Sequence, residues 1–327
     1  MKKLIIIFLL CISSVNAQTL SDSVKQLWRT VYGGVQDTSV IMPVLKDSLL
    51  TYPDPNVSII SQLYFNPVII SQNKFRLFYF WIQNGTVTKL NFESNFRYWN
   101  YTNLKTNFGT GAESIFYWNG FWYGSLHKWS NNVCYQQMRK STDNASNFFD
   151  IGPSVIQGED QFFDTFRSDS VWSYNRPVGI SNNSIIREIA LKKSKDLINW
   201  TANKVILSPD QQDRSANLQY YVMPVFHIQR DNGAYGLLTI LNTVTQNVYV
   251  QLVYSSDGES NWLRCKNRKT FLTIPNGIHQ QYPLPLVYND TLHCITSMAK
   301  TTHGSANEKF GIYDFTIATR DLGGWKN

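Results

Sequence analysis

Four runs of β-branched and aromatic residues, at positions 75–81, 120–124, 235–240 and 248–254, set the character of this chain. Such side chains suit a pleated, half-buried surface. Each run is bounded by residues that turn the backbone, among them Gln83-Asn84-Gly85 and Arg230-Asp231-Asn232-Gly233. The pattern predicts many short strands, and only residues 20–30 carry a helical pattern. No linker, low-complexity run or composition shift divides residues 18–327, so one domain is expected.

A short motif recurs five times along the strands: a small polar or acidic residue, an Asp or Asn shortly after it, then an aromatic. The copies are Glu93…Asn95…Trp99, Ser141…Asp143…Phe148, Ser194…Asp196…Trp200, Ser255…Asp257…Trp262 and Thr319…Asp321…Trp325. The Asp or Asn side chain accepts backbone N–H groups in a tight turn, and the aromatic pins that turn to its sheet. Intervals of 48, 53, 61 and 64 residues between the Asp/Asn positions match one four-stranded blade. The expected fold is therefore all-β, a five-bladed β-propeller.

Each unit opens with its own turn-flanked stretch: Tyr64-Phe65-Asn66-Pro67, Gly111-Ala112-Glu113-Ser114, Gly158-Glu159-Asp160-Gln161, Tyr221-Val222-Met223-Pro224 and Gln281-Tyr282-Pro283. The first strand of a propeller blade lines the central channel, so these five stretches are expected to converge on the axis. An apolar stretch follows the earlier boxes, as at 204–207 and 269–272, but none follows the fifth. Residues 38–45 have the character to supply that strand and close the ring, removing the open edges that invite aggregation.

The first 17 residues read as a cleaved export signal: Lys2 and Lys3, an apolar run over 4–12, and Val15-Asn16-Ala17 before Gln18. The apolar run is too short to span a bilayer comfortably, and no second run of membrane length follows. A periplasmic or secreted location is expected, as a monomer. Loss of the two lysines lowers the formal charge of +7 to +5, with no Lys/Arg run. That is too mild for a nucleic-acid partner. Three cysteines remain, Cys134, Cys265 and Cys294, which allow one disulfide at most, with Cys265–Cys294 the favoured pair.

The stretches around Arg187-Glu188-Ile189…Asp196…Trp200 and Tyr254-Ser255-Ser256-Asp257-Gly258…Trp262 resemble the blade motifs of five-bladed glycosidase-like propellers, the levanase, invertase and arabinanase relatives. The resemblance covers residues 57–325 and is one of pattern. It implies an exported protein acting on a poly- or oligosaccharide through carboxylates in the propeller funnel, without a cofactor. One carboxyl protonates the leaving oxygen while another attacks or activates water.

Carried over residue by residue, the resemblance makes Asp160 the first catalytic candidate, with Glu159 and Asp164 on the same strand as alternatives. Asp54, in Pro53-Asp54-Pro55-Asn56, matches the Asp-Pro-Asn of the invertase-like motif, and Glu113 completes a possible trio. Two positions depart from the family. Asn66 stands where an Asp is expected, and Val222-Met223-Pro224 holds no acid. Arg176 is a candidate for a substrate hydroxyl or for orienting a carboxylate, and Trp81, Trp118 and Trp122 for stacking on sugar rings. Asn66 joins them as a substrate-binding position. His279 could face an axial cation, but the histidines show no metal spacing, and no phosphate loop, Ser elbow or Cys/His pair is present. Sialidases also carry Asp boxes, but they need a cluster of arginines, for which Arg176 and Arg187 are the candidates. A sugar-binding module without hydrolysis is the other reading of the same residues.

Overall fold

The computed structural model describes the backbone of 44–50, 66–71, 74–83, 86–94, 99–102 and, with short breaks at 131–132, 144, 157, 178–185, 230, 273–278, 300 and 304–309, of 112–326. Side chains are described from Ser114 onward, with gaps that include Glu159 and Asp160. All of this lies within one unit, 42–327.

The four predicted runs are strands: Lys74–Gln83, Phe121–Ser130, Ala234–Asn242 and Val248–Ser255. The helical reading at 20–30 lies outside the described residues. The strands assemble into five antiparallel sheets in a β-propeller arrangement. Each opens with the strand that carries one of the turn-flanked stretches: Asn66–Ser71, Ala112–Trp118, Glu159–Asp164, the pair Leu218–Tyr220 and Val225–His227, and His279–Tyr288. These inner strands touch one another in cyclic order, the fifth against the first.

In the fifth sheet the order is Val44–Leu50, Phe310–Ala318, Thr291–Ala299, His279–Tyr288. Val44 stands opposite Thr316 and Leu50 opposite Ile312. The strand from the N-terminal part of the chain thus begins at Val44, near the end of the expected 38–45 stretch.

The three boxes with described side chains fold alike. Ser141, Ser194 and Ser255 donate their hydroxyls to Oδ1 of Asp143, Asp196 and Asp257 at 2.7, 3.1 and 2.8 Å. Each Oδ1 accepts backbone N–H groups further along the turn: Asn147 at 2.9 Å, Ile198 and Asn199 at 2.9 and 2.7 Å, Glu259 and Ser260 at 2.7 and 2.8 Å. One residue of each turn is left-handed, with φ of +67° at Ala145, +64° at Leu197 and +75° at Gly258. These bonds depress the carboxyl pKa, to about 2 for both Asp143 and Asp196. The fifth copy differs. Thr319–Trp325 is a 3-10 turn, and Trp325 is buried edge-on against Phe271 of the fourth sheet at 4.8 Å.

The core lies between sheets. Phe116 of the second sheet stacks on Phe163 of the third at 4.6 Å, and Lys192 of the third donates to Gln136 Oε1 of the second at 3.1 Å. Between the third and fourth sheets, Tyr174 donates its hydroxyl to the Gly258 carbonyl at 3.0 Å and meets the Trp262 edge at 6.0 Å. The box turn of one sheet thereby locks its neighbour. Cys134, Cys265 and Cys294 are buried free thiols, so the Cys265–Cys294 disulfide does not form: Cys265 follows the Leu263–Arg264 strand of the fourth sheet, while Cys294 sits within the fifth. Burial pushes the Cys265 thiol up to about 12.

Candidate functional site

Four of the five inner strands depart from regular pairing at the same feature. In the second sheet Ala112 faces Leu126 but Ser114 faces Ser125, leaving Glu113 as an extra residue. In the third, Glu159 faces Arg176 and Phe162 faces Tyr174, so Asp160 and Gln161 stand opposite Asn175 alone. In the fourth, Tyr220 pairs with Ile240 and Val225 with Gly236, so residues 221–224 bridge an interruption opposite a shorter segment. In the fifth, Gln281 faces Ser297 and Leu284 faces Ile295, leaving Tyr282 and Pro283 opposite Thr296. Each irregularity coincides with a turn-flanked stretch picked out in the sequence. Bulges of this kind bend a strand and re-aim side chains, and they gather beside active sites. Backbone contact holds the third one tightly. A Cβ on Gly158 would sit 2.0 Å from the Arg176 carbonyl oxygen.

A polar cluster lies at the Arg176 end of the third sheet. Arg176 closes the Val171–Arg176 strand, and Arg187 precedes the Ile189–Ser194 strand. Their guanidinium carbons lie 4.9 and 5.1 Å from the Tyr221 ring centroid, within cation–π range. Tyr221 belongs to the interrupted stretch of the fourth sheet, fixed by its N–H to the Thr239 carbonyl at 2.8 Å. Its hydroxyl is 3.4 Å from His303 Nε2, and the two rings meet edge to face at 5.4 Å. Burial first, then the charges of Arg187 and Arg176, lower the pKa of His303, so its imidazole is neutral at pH 7. Three sheets thus bring two fixed cations, a phenol and a neutral imidazole to one place.

The predicted residues divide. Arg176 joins this cluster, and the backbone of Glu159 and Asp160 lies at the same end of the third sheet, with Glu159 opposite Arg176. Asp164 does not belong with them. It stands opposite Trp172 at the far end of its strand, four residues from Asp160, or ~13 Å at strand rise. That exceeds the roughly 5–9.5 Å that separates glycosidase carboxyls. Asp164 is instead buried, 2.9 Å from His227 Nε2 and accepting the Phe166 N–H at 2.9 Å. Its role is to close the turn between two strands.

Trp118 and Trp122 are corrected as well. Both are buried, Trp118 packed with Phe116, Tyr123 and Met138, and Trp122 edge-on to Tyr117 at 5.2 Å. Neither offers a free face to a sugar. Asp54 lies outside the described residues, as do the side chains of Asn66, Trp81, Glu113, Glu159, Asp160 and His279. No group of His, Cys, Asp and Glu suited to a metal ion occurs among the described residues. Tyr221 and His303 were not anticipated. Tyr221 was visible only as the first residue of an acid-free stretch, and His303 carried no pattern, because residues 82 positions apart meet only in the folded ring.

No protein-family model and no curated protein matches this chain. Solved structures do. A glycoside hydrolase matches with a TM-score of 0.62 at 8% identity, over 93% of this chain and 96% of that one. An α-L-arabinofuranosidase from Podospora anserina, solved with cellotriose, matches at 0.56 and 8% identity over 86% and 98%. An endo-arabinase from Bacteroides thetaiotaomicron matches at 0.54 and 11% identity over 85% and 98%. Across sequences this far apart, what the chain shares with glycoside hydrolases is their β-propeller fold.

Proposed function

We propose that this chain is an exported, monomeric glycoside hydrolase-like protein. It acts on a poly- or oligosaccharide in the funnel of a five-bladed propeller whose ring is closed by the 44–50 strand. Five sheets with cyclically adjacent inner strands support the blade count, and the pairing of Val44–Leu50 with Phe310–Ala318 supports the closure. The observation that carries the functional reading is the set of extra residues in four inner strands, two of which bring acids, Glu113 and Asp160, into the irregular segment. Asp160 is assigned the leading carboxylate, with Glu113, Glu159 and Asp54 as partners and Arg176 orienting one of them or the substrate. Residues 1–17 are assigned to a cleaved signal, so the mature chain starts at Gln18 in the periplasm or outside the cell.

Binding without cleavage is the second reading. It is favoured by the amide at Asn66, the acid-free 222–224 stretch and the diversion of Asp164 to His227. Product release from a broad glycan panel, comparing the mature protein with Asp160→Asn, separates the two. Release by the parent alone supports hydrolysis through Asp160. Equal release by both moves the chemistry elsewhere. Retention of a glycan on an affinity column with no release supports the binding module.

A further inference from the structure

The cluster on Tyr221 holds more positive charge than its surroundings balance. Arg187 is partly exposed, yet its Nη1 is buried and lacks any hydrogen-bond partner. A buried guanidinium nitrogen left unsatisfied is costly, so such a group calls for an acceptor. The adjacent acid does not serve it, because Glu188 accepts the Ser208 hydroxyl at 2.6 Å. Arg176 lies against the same ring, and the register sets one acid, Glu159, opposite it. Two guanidiniums against one carboxylate leave a formal excess of one positive charge. His303 adds none while its imidazole is neutral. The vacancy is thus for a monoanion with planar, paired oxygens, which a guanidinium fork matches bidentately. A carboxylate satisfies both conditions, whereas a phosphate monoester brings nearly two charges.

We propose that Arg187, with Arg176, Tyr221 and His303, forms a subsite for a carboxylate-bearing sugar, so that the glycan recognised is acidic and contains a uronic acid. This rests on the glycan reading above and deepens it by naming the substrate class. Arg187 sets the preference for the acid over the neutral sugar. Tyr221 holds both guanidiniums in place, and the His303 ring faces the phenol.

The test is calorimetric titration of the mature protein with oligosaccharides of galacturonic, glucuronic and mannuronic acid, their methyl esters, neutral oligosaccharides and inorganic phosphate. At least one free acid should bind ten-fold or more tighter than its methyl ester. Arg187→Gln should abolish that preference at an unchanged melting temperature, and Arg187→Lys should restore part of it. Equal binding of acid and ester, or a preference that survives Arg187→Gln, overturns the carboxylate subsite but leaves the glycan reading standing. Phosphate binding without uronate binding overturns it in favour of an inorganic or ester phosphate. Binding of neither acidic nor neutral sugars removes the subsite and the glycan reading together.

Discussion

Asp213 is the residue whose loss the fourth sheet tolerates least. It lies in the short Gln211–Ser215 helix, 1% exposed, where one carboxylate serves three donors. Tyr220 Oη donates to it at 2.6 Å, Arg264 Nη1 at 2.8 Å and Arg268 Nη1 at 2.9 Å. Asp213→Asn keeps the shape and removes the charge, leaving two guanidiniums facing an amide. Removing one partner of a buried ion pair costs about 3–5 kcal/mol. Here the lower end applies, because Arg268 keeps Asp210 and Arg264 keeps Gln251 Oε1 at 2.8 Å. With an unfolding entropy of roughly 0.6 kcal/mol/K for a unit of this size, about 3 kcal/mol corresponds to a fall of ~5 °C in Tm. Scanning calorimetry on parent and variant measures this directly. A double-mutant cycle with Arg264→Gln should show a coupling of at least about 1 kcal/mol. A Tm within 1 °C of the parent, or strict additivity in the cycle, would refute the account of Asp213 as the charge that holds this network.

Gly158→Ala should destabilise by about 1–3 kcal/mol or more, since the new methyl meets the Arg176 carbonyl rather than a yielding side chain, and urea titration reads the loss. Acid should weaken the fold through the boxes. Asp143 and Asp196 have folded pKa values lowered to about 2, so their contribution is complete above about pH 4 and drains away as pH falls toward 2. A Tm that stays level between pH 5 and pH 2 contradicts this, and Asp196→Asn should blunt the acid limb. Deleting residues 18–50 strips the Phe310–Ala318 strand of its Val44–Leu50 partner, and the exposed edge should make the protein aggregate or lose its cooperative melt. A truncated protein that melts like the parent rules out that strand as a structural necessity.

Strand positions and box turns were legible because their causes are local. The run at 248–254 needs only its own β-branched and aromatic residues to favour a strand, and Ser194 and Asp196 bond within their own turn. The boundary of the strand that pairs with Phe310–Ala318 was less accurate, since pairing register depends on a partner 266 positions or more away. The fifth box looked like the others but lacks the Ser of the three described ones, and its Trp325 is committed to Phe271 instead. Asp164 shows the same limit at the site. Five residues carry acids at both ends of one strand, and sequence proximity suggested one cluster where strand rise separates two.

The sequence by itself determined the class of fold, the repeat and the places where the inner strands break their pattern. Residue type and short-range hydrogen bonding are enough to specify those. Tertiary structure alone decided which polar groups meet. Arg176, Arg187, Tyr221 and His303 come from three sheets, and Asp164 finds His227 across a sheet boundary. Packing of sheets around an axis creates these contacts between residues distant along the chain, and the charge balance of the site exists only once they are formed.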